Sequence, residues 1–264
     1  MKIRITKSKL EKYKQVLSSR DKEILQSIQK CKFIKTDQIG RLHFGSATTP
    51  SAGLRAATRK LTKLHKMGLV QTLRRRIGGV RAGSTSYVWT LTTAGRVLLG
   101  EKPTRPYEPT YIFLKHTLAV SELYTRLYTS HKLMKADFEP TCWRKSGTLK
   151  PDLYAVTENG EFEDYWFFEV DLDTEAPSRI MRKCESYGKY CLSGIEQEEK
   201  GVFPKVVWLV PDEKRRGTLY RYIGEHLSEY AQLFAVITFD DLDKVVIDGA
   251  GESYIFKAIK NEGA

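Results

Sequence analysis

Apolar positions fall at helical spacing through the first part of the chain and in short β-branched and aromatic runs through much of the rest, so the two parts follow different patterns. Ser18, Ser19 and Asp21 open a segment with Ile24, Leu25 and Ile28 at helical period, which predicts a first helix from Leu17 to Ser27. Thr36 offers an N-cap to a second, short helix carrying Ile39, Leu42 and Phe44, and Gly45 to Pro50 breaks it. A third helix opens at Ser51, with Leu54, Ala57, Leu61 and Leu64 on one face, Arg55, Arg59, Lys60, Lys63 and Lys66 largely off it, and Gly68 as its stop. Leu69 to Leu73 and Tyr87 to Leu91 then read as two strands of a hairpin whose tip carries Arg74, Arg75, Arg76 and Arg81 around Gly78 and Gly79.

Pro103, Pro106 and Pro109 mark a linker, which sets an N-terminal domain at 1–105 and a C-terminal domain at 106–264. Beyond the linker the pattern predicts a helix from Tyr111 to Ser130 and strands at Asp137–Trp143, Pro151–Val156 and Tyr165–Leu172. A helix at Ser178–Leu192, a strand at Lys205–Val210, a helix at Arg216–Tyr230 and a strand at Ala235–Phe239 follow. That order implies an α/β sheet with helices on both faces. The Glu196, Glu198, Glu199 cluster before Gly201 reads as a solvated loop.

Composition sharpens the division. Hydrophobic residues make up 41% and charged residues 29%, with no apolar run near the ~18 residues that cross a bilayer, so a globular, cytoplasmic protein away from membranes is expected. The four cysteines, Cys31, Cys142, Cys184 and Cys191, have no C-x-x-C spacing, against a disulfide framework or a zinc ribbon. Net charge is +12, but Met1 to Arg105 holds 24 Lys and Arg against 5 Asp and Glu, whereas Pro106 to Ala264 holds 20 against 27. An excess of that size displaces counterions from a polyanion, and double-stranded DNA is the natural partner; a merely solvating surface or an anionic-lipid patch would carry the same charge.

Three helices followed by a basic hairpin, with "LTKLHKMGLV" ahead of "YVWTLTTAGRVLL", resemble the winged helix-turn-helix family over Ser18 to Leu99. The resemblance implies that Arg55, Arg59 and Lys63 face DNA from the third helix and Arg74, Arg75, Arg76 and Arg81 from the wing. Solvated arginines and a protein-docking use of the fold stand as the alternatives.

In the C-terminal part, Glu169 follows four aromatic residues in a strongly apolar strand, where a carboxylate is costly without a cation or a donor. At strand period Glu169 and Asp171 share a face, and Asp152 on a neighbouring strand makes a third carboxylate. Hard cations such as Mg²⁺ take one or two carboxylates plus water and phosphate oxygens. The competing reading is of strand-end acids paired with Arg179, Arg182 or Lys183.

Pro151-Asp152, then Phe168-Glu169-Val170-Asp171, then a helix with Lys183, Tyr187 and Tyr190, resemble the PD-(D/E)XK restriction-endonuclease-like core. Behind a winged helix, with "PDLYAV", "FFEVDLDTE" and "KCESYGKY" in that order, the chain is similar to the replication-relaxation family of plasmids and integrative elements, and more distantly to conjugative relaxases. The fold implied is α/β overall, an N-terminal winged helix-turn-helix followed by an α/β restriction-endonuclease-like domain. The resemblance implies metal ligands at Asp152 and Glu169, holding Mg²⁺ or Mn²⁺, and an accessory acid at Glu122. Asp171 occupies the position of the usual lysine, so Lys183 becomes the candidate cation, with Lys150 behind it.

The function implied is that of a mobile-element protein in plasmid replication, DNA relaxation or conjugative transfer, working beside other replication or transfer proteins. If it cleaves, it is a Mg²⁺-dependent nickase using Asp152, Glu169, Asp171, Lys183 and Glu122. A non-catalytic origin-binding or transfer factor and a winged-helix transcriptional regulator remain as rivals. Isolated histidines and the lack of a G-x-x-x-x-G-K-[ST] run speak against two-histidine relaxase chemistry and ATP-driven chemistry.

Overall fold

The computed structural model describes residues 6–74, 77–78, 85–142 and 149–247, and the chain divides into two compact units, Met1–Thr125 and Arg126–Ala264. In the first, Thr6 caps α1 (Lys7–Val16) by accepting from the Lys9 backbone N–H. Ser18 and Asp21 form a reciprocal capping box at α2 (Ser19–Cys31), where each side chain accepts from the other's backbone N–H. After β1 (Ile34–Lys35), α3 (Thr36–Phe44) starts one residue earlier than a Thr36 cap would allow. The Thr36 hydroxyl instead accepts from the Trp89 indole N–H at 2.9 Å.

Thr49 caps α4 (Pro50–Lys66), whose Ala57, Leu61 and Leu64 are buried while Leu54, expected among them, is exposed. Gly53 lets α3 and α4 close on each other, since a Cβ there would lie 3.0 Å from the Phe44 carbonyl oxygen. Next come β2 (Val70–Thr72), the paired β3 (Ile77–Gly78) and β4 (Thr85–Ser86), β5 (Val88–Leu91) and α5 (Thr93–Leu98). Strands β1, β5 and β2 form an antiparallel sheet with β5 in the middle, Ile34 and Thr72 both opposite Trp89. Leu114 and Leu118 of α6 (Tyr111–Thr129) pack with Phe33, Leu73 and Val88. The chain therefore divides inside α6, later than the Arg105 linker.

In the second unit, β6 (Leu133–Phe138), β7 (Leu153–Asn159) and β8 (Phe162–Val170) run antiparallel as a meander. Then α7 (Pro177–Leu192) and α8 (Ile195–Lys200) lead to β9 (Lys205–Val210), α9 (Glu213–His226), a 3₁₀ turn at Ser228–Leu233 and β10 (Phe234–Thr238). The sheet order is β10-β9-β8-β7-β6, with β8, β9 and β10 parallel. The molecule is thus mixed α/β, with helices and separate sheets in its two units. One face of the larger sheet, with Tyr154, Phe167, Val206 and Trp208, packs on Ile180, Cys184 and Tyr187 of α7 and Leu219 and Ile223 of α9.

Three sequence expectations shift. The first strand of the meander begins at Leu133 and ends at Phe138, and Trp143 lies outside the described residues. The helix expected to reach Tyr230 stops at His226, beyond which the chain tightens into the 3₁₀ turn. The acidic cluster is not a loop: it forms α8, where buried Glu196 accepts from the Tyr190 hydroxyl and pairs with Lys200. Among the described residues no helix is long and apolar enough to cross a membrane, and all four cysteines are free thiols.

Candidate functional site

Strand β8 carries its acid where the sheet meets α7. Phe167 and Glu169 alternate on the face that packs on that helix, and residues four apart on α7, Lys183 and Tyr187, reach down to the carboxylate. The Lys183 ammonium donates to Oε2 and the Tyr187 hydroxyl to Oε1, both at 2.5 Å. Glu169 is 1% exposed. Burial, reinforced by the charge of Asp152, pushes its carboxyl up to about 7 against the lowering effect of Lys183 and Tyr187. Burial works against the Lys183 charge, but Glu169 and Asp152 outweigh it and raise the ammonium above the usual lysine range. Burial first, then Glu169, holds the Tyr187 phenol far above its usual range, so it is a donor and not a nucleophile.

Asp152 stands immediately before β7. Its backbone N–H donates to the Phe168 carbonyl at 3.0 Å and its Oδ2 accepts from the Val170 N–H at 2.8 Å. The pairing of Leu153 with Phe168, continued by one residue, sets Asp152 opposite Glu169, in keeping with the influence of its charge on both Glu169 and Lys183. Asp152, Glu169 and Lys183 form one electrostatic cluster.

Asp171 and Glu122 have other partners. Asp171, 3% exposed, accepts from the Arg215 Nε at 2.5 Å and from the Asp173 N–H at 3.0 Å. Arg215 also pairs with the Asp173 carboxylate at 2.9 Å and donates to the Glu175 carbonyl at 2.7 Å. Of the three carboxylates expected to converge, a buried arginine takes up Asp171, which leaves Asp152 and Glu169 as the pair beside Lys183; among the described residues no group of three or more His, Cys, Asp and Glu side chains is placed to hold a metal. Glu122 belongs to the first unit: Arg41 donates to its two oxygens at 2.8 and 2.5 Å and Gln38 donates at 3.0 Å. Burial raises the Glu122 carboxyl, but Arg41 and Gln38 outweigh it and bring it to about 2.

On the first unit Arg55, Arg59 and Arg74 are exposed, and the Arg74 backbone N–H donates to Glu108 at 3.0 Å. Lys63 pairs with fully buried Asp21 at 3.2 Å, beside Lys60 at 2.9 Å. Arg75, Arg76 and Arg81 lie outside the described residues. Arg215 and the Tyr190–Glu196–Lys200 cluster are polar centres that the sequence did not single out. The one available signal for Arg215 was the need of Asp171, in an apolar strand, for a cation.

The chemistry of the pair fits Mg²⁺ or Mn²⁺: two carboxylates from adjoining strands suit a hard ion that keeps its other positions for water and phosphate. The buried, proton-retaining Glu169 is a group whose ionised form a cation would stabilise. No curated protein and no solved structure matches the chain. Residues 25–206, more than half of the chain, match the family described as replication-relaxation, and the protein belongs to that family, which points to a role in the replication or relaxation of plasmids or mobile elements.

Proposed function

We propose that the protein is a DNA-processing factor whose first unit is a winged helix that reads duplex DNA and whose second is a PD-(D/E)XK-like core that nicks a strand. Three helices and a three-stranded antiparallel sheet in the order β1-β5-β2 support the first half of this reading, with Arg55 and Arg59 exposed on the reading helix and Arg74 exposed just after β2. The contact of Lys183 with Glu169 at 2.5 Å beside Asp152 carries the second half. A phosphodiester-cleaving site needs two acids and a lysine, and with Asp171 in place of the usual lysine this reading takes the cation from Lys183 of α7.

Asp152 and Glu169 would hold Mg²⁺ or Mn²⁺, which supplies Lewis-acid polarisation of a phosphate oxygen and a more acidic water. Tyr187 fixes the Glu169 carboxylate from its far side. Lys183 is the group that turns to the scissile phosphate and offsets the negative charge that grows on its oxygens in the transition state. The reading predicts metal-dependent conversion of supercoiled plasmid to open circles. Glu169→Ala and Lys183→Ala lower that rate about 10³-fold, or roughly 4 kcal/mol of transition-state stabilisation, while leaving duplex binding intact. Full binding without nicking under either metal would sink it in favour of a non-catalytic origin or transfer factor. That second reading draws on the same Glu169 site, in which both carboxylate oxygens are already engaged by the protein's own donors.

A further inference from the structure

An open trough of about 890 Å³ runs along the first unit, between the outer edge of β2 and the segment Arg105–Glu108, with the start of α5 beside it. Its size lies within the range of roughly 300–1,000 Å³ over which proteins hold small ligands or pieces of larger ones. Both walls are fastened. Thr93 donates its hydroxyl to the Thr104 carbonyl at 3.1 Å, and Glu108 accepts from the Arg74 backbone N–H at 3.0 Å. Arg74 and Arg105 are among the lining residues, two basic side chains against the single acid Glu108.

Two aromatic rings line the same trough, and each is held in place. Tyr107 is 54% exposed, yet it meets Phe33 edge to face at 5.9 Å and 83°. His65 uses Nδ1 on the Val70 carbonyl at 3.0 Å and rests edge-on to Trp89 at 6.1 Å. Guanidinium groups that meet phosphates, with fixed rings that meet flat bases, form the combination that holds unpaired nucleotides. A duplex buries the faces of its bases in its own stack and cannot use the rings.

We propose that this trough binds single-stranded DNA, as a site separate from the α4 face that carries Arg55 and Arg59. The proposal rests on the first unit being a DNA-binding module and adds to it a place for a strand released from the duplex. Charge favours DNA over an acidic peptide: residues 1–105 hold 24 basic against 5 acidic side chains, and a phosphate chain satisfies such an excess along its whole length.

Fluorescence anisotropy of the full chain with a labelled single-stranded 12-mer and with the matching duplex tests it. Tyr107→Ala and Arg105→Ala each weaken binding of the single strand about tenfold and leave duplex affinity within twofold, and Tyr107→Phe restores the single-strand value. Arg105→Ala also lowers the salt slope of single-strand binding by about 0.7. Unchanged single-strand affinity in both alanine variants overturns the proposal, as does a parallel fall for both DNA forms, which would make the trough part of the duplex reader. Displacement of the 12-mer by poly-glutamate at equal charge concentration overturns it in favour of an acidic peptide. Arg55→Ala/Arg59→Ala separates the two levels: loss of duplex binding with single-strand binding kept supports two sites, whereas a wild-type chain that binds neither form removes the DNA-binding reading and the trough together.

Discussion

The two units use charge in opposite ways. In the first, Arg55, Arg59 and Arg74 stand in solvent, and the buried acid Asp21 is served by lysines that reach in from the surface. In the second, three acids are themselves buried and each has a cation at hand: Glu169 has Lys183, Asp171 has Arg215 and Glu196 has Lys200. Exposed charge is available to a polyanion and is weakened by salt. Buried charge carries a desolvation cost that its partner must offset, so it fixes geometry and tunes protonation instead. On the proposed function, the difference separates a surface suited to binding from a centre suited to position and chemistry.

The sharpest way to break this contrast is to remove a buried cation. Arg215→Ala leaves Asp171 uncompensated inside the second unit, and a loss of about 3–5 kcal/mol in a urea denaturation series is expected. Pairing it with Asp171→Leu recovers most of that loss, because the stranded charge is gone. A cost below about 1 kcal/mol for Arg215→Ala would mean that water reaches Asp171 and that the interior of this unit is less dry than its packing implies.

A smaller effect tests Glu169. Its carboxyl keeps its proton to about 7 in the folded chain, against an ordinary value of 4.5, so folding takes up a proton between those two values. The native state holds more protons than the unfolded one across that window, and Glu169 makes stability fall as pH rises from 4.5 to 7. The wild type therefore loses ground to Glu169→Gln over this range, and the proposed nicking would rise as Glu169 ionises. Urea midpoints of both proteins at pH 4.5, 5.5, 6.5 and 7.5 check the sign; a constant difference would show that Lys183 keeps the acid ionised throughout. Burial lowers His43 to about 4, and that group also titrates near this window, which is why the comparison is between variants and not between pH values alone.

Much of this organisation is legible from local pattern. The second half of the chain builds the expected order helix, three strands, helix, strand, helix, strand with α8 added ahead of β9, and Ala57, Leu61 and Leu64 are buried as their spacing implies. What escaped is what distance in sequence conceals. Arg215 lies on α9, far along the chain from Asp171, and no local rule joins them. The helix α8 reads as solvent-loving because its one buried acid is held by Tyr190 on the preceding helix. Strand β6 was displaced because it is the sheet's edge, with Met134 and Lys135 exposed, so its alternation is faint. Lys63 falls off the apolar face of α4 as its spacing requires, but the acid that claims it is on α2.

Lys63 also gives the finest test, because it shares α4 with Arg55 and Arg59 of the proposed binding surface while paired inward. Asp21 keeps Lys60 at 2.9 Å and the Ser18 cap when Lys63 is lost. Burial raises the Asp21 carboxyl, but these partners outweigh it and hold it near 2. Lys63 is half exposed, so its removal costs at most about 1 kcal/mol of stability. If the pair is kept in the DNA complex, Lys63→Ala leaves the salt slope of duplex binding unchanged, whereas Arg55→Ala and Arg59→Ala each reduce its magnitude by about 0.9, one phosphate apiece. A full-phosphate drop for Lys63→Ala would show the lysine leaving Asp21 for DNA, in which case the inward-facing charges of the first unit are a reserve for binding and the contrast between the units narrows to Arg215 and Lys183.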